Sequence, residues 1–309
     1  MYREKLDEIY KFMSVETGRG IARDLSSWLP KIRLEFALQG EPLLNKNAYT
    51  IFQIFREEFP KCQIMVTTNT DPLRQGKGFN QEKIKKLFLF GVNIVVADYY
   101  GEKDDMSYEE FVDGFKQNTL GIPVHDIYKD KPTIWGYVGY DVSYIVTIDN
   151  TMDRDFTRNL NNQAGNTSPE LIKLNDYSIE PLPLMKRCHL PFREMAIRHD
   201  GTVPLCCMDW QKEKIMGKFP ETSLKDIWEG SIFKMTRSLL FNKRRDLLNP
   251  CDRCNYHPVK VGLVEDPYPK GHPDVLITAK SLKKGQEQFK NLKNKYADLP
   301  FDYTKVTAK

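Results

Sequence analysis

Residues 31–38, KIRLEFAL, alternate strictly between polar and apolar positions, with Ile32, Leu34, Phe36 and Leu38 on one side and Lys31, Arg33 and Glu35 on the other. A period of two is the mark of a β-strand. The period then switches back and forth along the chain. NAYTIFQIFREEF (47–59) reads as a helix, CQIMVTT (62–68) as a strand, NQEKIKKLFLF (80–90) as a helix and VNIVVAD (92–98) as a strand. SYEEFVDGFKQN (107–118) reads as a helix, with Ser107 as N-cap and Glu110 completing a capping box. GIPVHDIY (121–128) and YIVTIDN (144–150) read as further strands. Ahead of all of these, Leu6, Ile9, Tyr10 and Met13 stand at helical spacing over residues 2–13.

Repeated β-then-α units of this length imply an α/β fold of parallel strands joined by right-handed crossovers. A doubly wound sheet and a partial (β/α) barrel both fit. In either, the reactive face lies at the carboxyl ends of the strands, which here carry Gly40-Glu41-Pro42, Thr68-Asn69 and Asp98-Tyr99. Around residues 150–180 the composition turns polar and Asn-rich, as a boundary or surface loop would. The expected regions are therefore an α/β part over 1–175, a small cysteine-rich α+β part over 176–262, and a lysine-rich helix or tail over 263–309.

Composition narrows the class. The 46 basic and 42 acidic residues leave a net charge of +4, too even a balance to indicate nucleic acid as a partner. No apolar run approaches the ~20 residues that a membrane-spanning helix needs. The charged, amphipathic start MYREKLDEIYKFM lacks the apolar core of a secretory signal, so the expected location is cytoplasmic, with no membrane partner.

In a reducing compartment, clustered cysteines point to metal or redox chemistry rather than to disulfides. Five of the six cysteines fall between residues 188 and 254. Seventeen residues separate Cys188 from Cys206, and two separate Cys251 from Cys254. Between the first pair, IRHDGTVPLC reads as strand, turn, strand about Asp200-Gly201, a hairpin that brings ligands from its base together. Four soft ligands suit one tetrahedral zinc or one [4Fe–4S] cluster. A single Cys-x2-Cys knuckle, where zinc ribbons pair two, leans away from zinc. Cys207 would point away from Cys206 on a strand, and Cys62 reads as a small buried hydrophobe. His125, His199, His257 and His272 fit no ligand pattern; His257, three residues after Cys254, reads as a solvated loop histidine.

The order Cys188, Gly201-x4-Cys206, Cys251-x2-Cys254 resembles the SPASM domain of radical-SAM proteins, over roughly residues 180–260. The helix-forming stretch GKFPETSLKDIWEGSIFKMTRSLL, with Leu224, Ile227 and Trp228 on its apolar face, resembles the linker of that domain. With no cysteine after Cys254, the chain is similar to the shortened, single-cluster version called Twitch. The resemblance implies one auxiliary [4Fe–4S] cluster on Cys188, Cys206, Cys251 and Cys254. Full ligation leaves no iron open to substrate, so an electron-accepting role is expected.

LEFALQGEPLL resembles the stretch after the second barrel strand of radical-SAM enzymes, and VTTNTDPL and RNLNNQAGN resemble later family segments. The resemblance implies a partial (β/α) barrel and S-adenosylmethionine as cofactor. Gly40, Glu41 and Pro42 would face its methionine moiety, and Asn69 and Asp98 would join the same face. The barrel's Cys-x3-Cys-x2-Cys triad is absent, since no cysteine precedes Cys62. Cleavage of S-adenosylmethionine by this chain alone is therefore not expected. The expectation is either a missing N-terminal fragment or partner that supplies the triad, or a degenerate paralogue that kept the auxiliary cluster. Completed, the protein would be an oxidoreductase or a radical enzyme modifying a peptide or small molecule, with a redox donor. Arg154 and Arg158 fit surface charges better than a site. The alternative is a non-catalytic iron–sulfur or zinc-stabilised binding or electron-transfer module.

Overall fold

The computed structural model describes residues 11–30, 32–38, 40–101, 105–127, 129, 143–151, 164 and 182–256. Their elements run α1 (Val15–Trp28), β1 (Ile32–Phe36), α2 (Ala48–Glu58), β2 (Cys62–Thr68), β3 (Arg74–Gln75), β4 (Gly78–Phe79), α3 (Gln81–Leu89), β5 (Ile94–Tyr99), α4 (Tyr108–Lys116), β6 (Val124–Asp126) and β7 (Tyr144–Asp149). Then come α5 (Leu190–Arg193), β8 (Thr202–Pro204), β9 (Ile215–Lys218), α6 (Leu224–Glu229) and α7 (Ser231–Phe241). They separate into two compact units. One holds the described residues of 26–37 and 41–152, the other those up to Leu25, Leu38, Gly40 and those from 153 to 268.

The first unit is built on a five-stranded, wholly parallel sheet in the order β1-β2-β5-β7-β6, so β7 lies between β5 and the later-paired edge strand β6. The α/β fold with a parallel sheet is the one the alternating periods predict. The strands differ as their places in the sheet require. Edge strand β1 is half-buried and alternates, whereas β2, β5 and β7 are covered on both faces and read as near-continuous apolar runs. On one face Phe36 meets Phe52 and Phe55 of α2 edge-on, with ring centroids 4.8 and 5.4 Å apart. On the other, Met65, Ile94, Val96, Tyr144 and Val146 form one apolar cluster. At the amino ends of β2 and β5, Arg56 spends its guanidinium on Pro60 O, Cys62 O, Gly91 O and Asn93 Oδ1, at 2.6–2.9 Å. The capping box opens α4 as expected, with Ser107 Oγ accepting from Glu110 N and Glu110 accepting from Ser107 N.

The second unit carries little regular structure. Its two-stranded sheet pairs β8 with β9, which corrects the hairpin expected about Asp200-Gly201. There the chain makes a tight turn in which Arg198 N donates to Thr202 O, and the strand after it finds its partner in Ile215–Lys218. Gly201 is required at that turn: its φ is +82°, and a Cβ would sit 2.1 Å from Phe219 O. The single linker helix expected after β9 is two, since Gly230 takes an extended conformation (φ −69°, ψ 163°) between α6 and α7. Leu224 and Ile227 are buried as expected, and Trp228 packs tilted against Phe233, with ring centroids 5.3 Å apart.

α1 is a further departure, for residues 11–13 are not helical and the first described helix begins at Val15. Its glycines mask it in the sequence, yet Gly20 is there because a Cβ would meet the Phe219 ring at 2.9 Å. Residues 2–10 of the expected first helix lie outside the described residues. So do Arg154, Arg158, His257, His272, nearly all of RNLNNQAGN and the whole of 263–309.

Candidate functional site

Four cysteines reach one neighbourhood from three places in the second unit. Cys188 lies just before α5, Cys206 follows β8, and Cys251 and Cys254 begin and close a 3-10 turn whose Cys254 N donates to Cys251 O at 3.3 Å. Burial pushes the thiols of Cys188, Cys206 and Cys251 up, and each is raised further by its neighbours. Cys188 feels Cys254; Cys206 feels Cys207, Cys188 and Cys251; Cys251 feels Cys188 and Cys254. All four thus share one electrostatic environment, the donor set that a metal fills by replacing protons.

Backbone amides prepare three of the sulfurs for charge. Tyr256 N donates to Cys254 Sγ at 3.4 Å, and the backbone of Leu190 and of Met208 hydrogen-bonds Cys188 and Cys206, favouring the thiolate. Each donor stands two residues after its cysteine, so the local turn that presents the sulfur also supplies the amide. Neutral thiols have little use for such donors, whereas thiolates bound to metal are tuned by them. Among the described residues no group of three or more His, Cys, Asp or Glu is arranged to hold a single metal ion; a tetrahedral zinc would need sulfurs about 3.8 Å apart, from Zn–S bonds of about 2.3 Å. Cys207 lies beside the set, and its thiol donates to Glu194 Oε1 at 3.7 Å. Cys62 is remote in kind: its thiol is pushed up to about 11, chiefly by burial, and donates to Phe55 O.

Arg245 is the residue the sequence conceals. It is 1% exposed and lowers the thiols of Cys188 and Cys251 by its charge. In sequence it sits in NKRRD, which looks like a solvated basic run. His189, next to Cys188, is pushed down to about 4 by burial and by Arg193, so it is neutral near pH 7.

A second group of candidates lies at the carboxyl ends of the parallel strands. Glu41 caps the 3-10 turn Pro42–Leu44: one carboxylate oxygen accepts from Leu43 N at 2.9 Å and the other from Asn69 N at 2.7 Å. Both oxygens are committed to backbone, so Glu41 clasps the loops after β1 and β2 together. Pro42 opens that turn, and Gly40 precedes it at φ +89°, which favours glycine. Asn69 Oδ1 accepts from Asp71 N at 3.1 Å, a local turn. Asp98 accepts from Asn150 Nδ2 at 3.2 Å. Burial, with a smaller push from Glu41, raises its carboxyl to about 6. Glu35, on β1, is likewise raised by burial.

Residues 188–255 match the profile of SPASM, an iron–sulfur cluster-binding domain. No curated protein sequence matches the chain. Among solved structures the chain is similar to BtrN in an open conformation, with 18% identity, TM-score 0.52, and 79% of this chain and 80% of that one covered. It is also similar to BtrN in complex with AdoMet and 2-DOIA, with 20% identity, TM-score 0.56 and the same coverage. The fold is therefore similar to that of BtrN, and residues 188–255 carry the match to the SPASM domain.

Proposed function

We propose that this chain is a radical-SAM/SPASM-type protein whose Cys188, Cys206, Cys251 and Cys254 hold one auxiliary [4Fe–4S] cluster. What supports this reading is the match of residues 188–255 to SPASM together with four interacting thiols in that stretch, three of them with backbone hydrogen bonds to sulfur. When bound, the cluster supplies a one-electron acceptor. The protein's own residues hold its thiolates, exclude water around Cys188 and Cys254, and fix the turn that carries the Cys-x2-Cys pair.

At the sheet's carboxyl ends, Glu41 holds the loops after β1 and β2 in place for S-adenosylmethionine, with Gly40, Pro42, Asn69 and Asp98 on the face it would meet. The given sequence contains no Cys-x3-Cys-x2-Cys run, and Cys62 begins β2 at the amino end of the sheet. Activation of S-adenosylmethionine then falls to a segment or partner bearing the triad, in a cytoplasmic oxidoreductase or an enzyme that modifies a peptide or small molecule. That same lack favours, as a second reading, an electron-transfer or binding module.

Iron, acid-labile sulfide and zinc counted in anaerobically purified protein test the first claim. About four irons with matching sulfide, lost in Cys251→Ala/Cys254→Ala, are expected. About one zinc without sulfide would sink it.

A further inference from the structure

Arg245 is buried at 1% exposure, yet among the described residues no carboxylate bridges to it. Its guanidinium is spent wholly on backbone carbonyls, and these belong to two separate pieces of chain. Nε donates to Lys186 O at 2.9 Å and Nη2 to Arg187 O at 3.1 Å, on the segment that leads into Cys188. Nη1 donates to Tyr256 O at 3.0 Å and reaches Cys254 O at 3.5 Å, on the segment that carries the Cys-x2-Cys pair. Planar, forked and permanently charged, a guanidinium can serve both segments at once, which a lysine ammonium cannot. Carbonyl oxygens satisfy the donors but leave the charge itself uncompensated, and an uncompensated buried charge is costly. The hydrogen bonds place that charge beside the two segments that carry Cys188 and Cys254, reaching the carbonyl of Cys254 itself and that of Arg187, which directly precedes Cys188.

We propose that Arg245 is a positioning residue of the cluster site, fastening the two ligand-bearing segments and supplying the fixed cation that offsets the net negative charge of a thiolate-bound iron–sulfur cluster. This rests on the cluster reading above. A cluster with four thiolates is anionic in both oxidation states, and more so after it takes up one electron. A fixed positive charge beside it therefore stabilises the reduced form more and raises the reduction potential, since net charge and surroundings set that potential. The same fork ties the entry to Cys188 to the exit from Cys254, so its loss also loosens the grip on iron.

The test uses the full chain, anaerobically reconstituted, as wild type, Arg245→Met, Arg245→Lys and Cys251→Ala/Cys254→Ala. Reduction with dithionite is followed by electron paramagnetic resonance against poised potential, and iron release to a chelator is timed. Arg245→Met is expected to titrate at a more negative potential and to lose iron at least several-fold faster. Arg245→Lys keeps the charge but not the fork, so its potential stays near wild type while iron still escapes faster. If Arg245→Met does not fold, the Lys variant decides: wild-type iron release from it overturns the fastening role. An unchanged potential in a folded Arg245→Met overturns the charge role even if iron is lost. Wild-type protein with zinc and no sulfide would instead fail the cluster reading itself, and this proposal with it.

Discussion

In each unit of the molecule a half-buried or buried arginine ties distant backbone together, and the contrast between Arg56 and Arg245 shows what holds each unit. Arg56 sits at the amino ends of β2 and β5 and reaches Pro60, Cys62, Gly91 and Asn93. Around it a sheet is covered on both faces by Phe, Ile, Val and Leu, so the arginine finishes a structure that hydrophobic burial already makes. Arg245 is buried where regular structure is sparse. The described residues of its unit hold one two-stranded sheet beside α5, α6, α7 and most of α1, and the segments it joins, 186–187 and 254–256, lack regular structure apart from the close of one 3-10 turn. On the proposed reading, metal ligation completes the stability of such a unit, as it does in small metal-bound domains.

The sharpest way to break this contrast is to remove the metal. Chelation under reducing conditions should strip amide-exchange protection from residues 182–256 and leave β2, β5 and β7 protected, as followed by hydrogen exchange with mass spectrometry. Structural metals in small domains contribute on the order of 10 kcal/mol, more than the unit's packing can replace. Equal loss in both units would mean the sheet also depends on the cluster.

The converse experiment is Phe111→Ala. Phe111 is fully buried and touches the rings of Phe79, Tyr99 and Phe115 at 5.3–5.4 Å. Truncation should cost the sheet unit about 3–5 kcal/mol, read by denaturant melts, with iron content unchanged. Lost iron would show that the units stand or fall together.

The same contrast explains what could be read from the sequence. Regular elements whose stability comes from burial carry periodicity, and β2, β5, β7, α2, α3 and α4 emerge from it close to their bounds. The four cysteines are legible because ligands at fixed spacing are a pattern of their own. What holds them is not. Arg245 looks like one of three basic residues in a row, and its role depends on contacts across more than fifty positions to residues 186 and 187. The partner of β8 is equally non-local: a strong Asp-Gly turn signal promised the strand before it, and β9 won because it closes over Gly201 and Phe219. Glu41 shows the same limit at a smaller scale, for its motif marks a turn, while its carboxylate serves the loop after the next strand.

The smallest effect probes the sheet unit's candidate site by pH. Burial raises Asp98 to about 6 from the ordinary 3.8, with Glu41's charge adding to it. Between these values the folded chain keeps a proton that the unfolded chain has released, so stability falls as pH rises from about 4 to about 6 and is level above. Asp98→Asn cannot ionise, and its side-chain oxygen still accepts from Asn150. The variant should lack that decline and exceed wild type at pH 7.5 by roughly 1 kcal/mol, an amount discounted for partial solvent access. Differential melts of the two proteins across pH 4–8 cancel the groups they share, including the cysteines. Parallel curves would place Asp98 in water and remove it from the site, whereas curves that diverge only between pH 4 and 6 mark a buried carboxyl that a cationic ligand could ionise on binding.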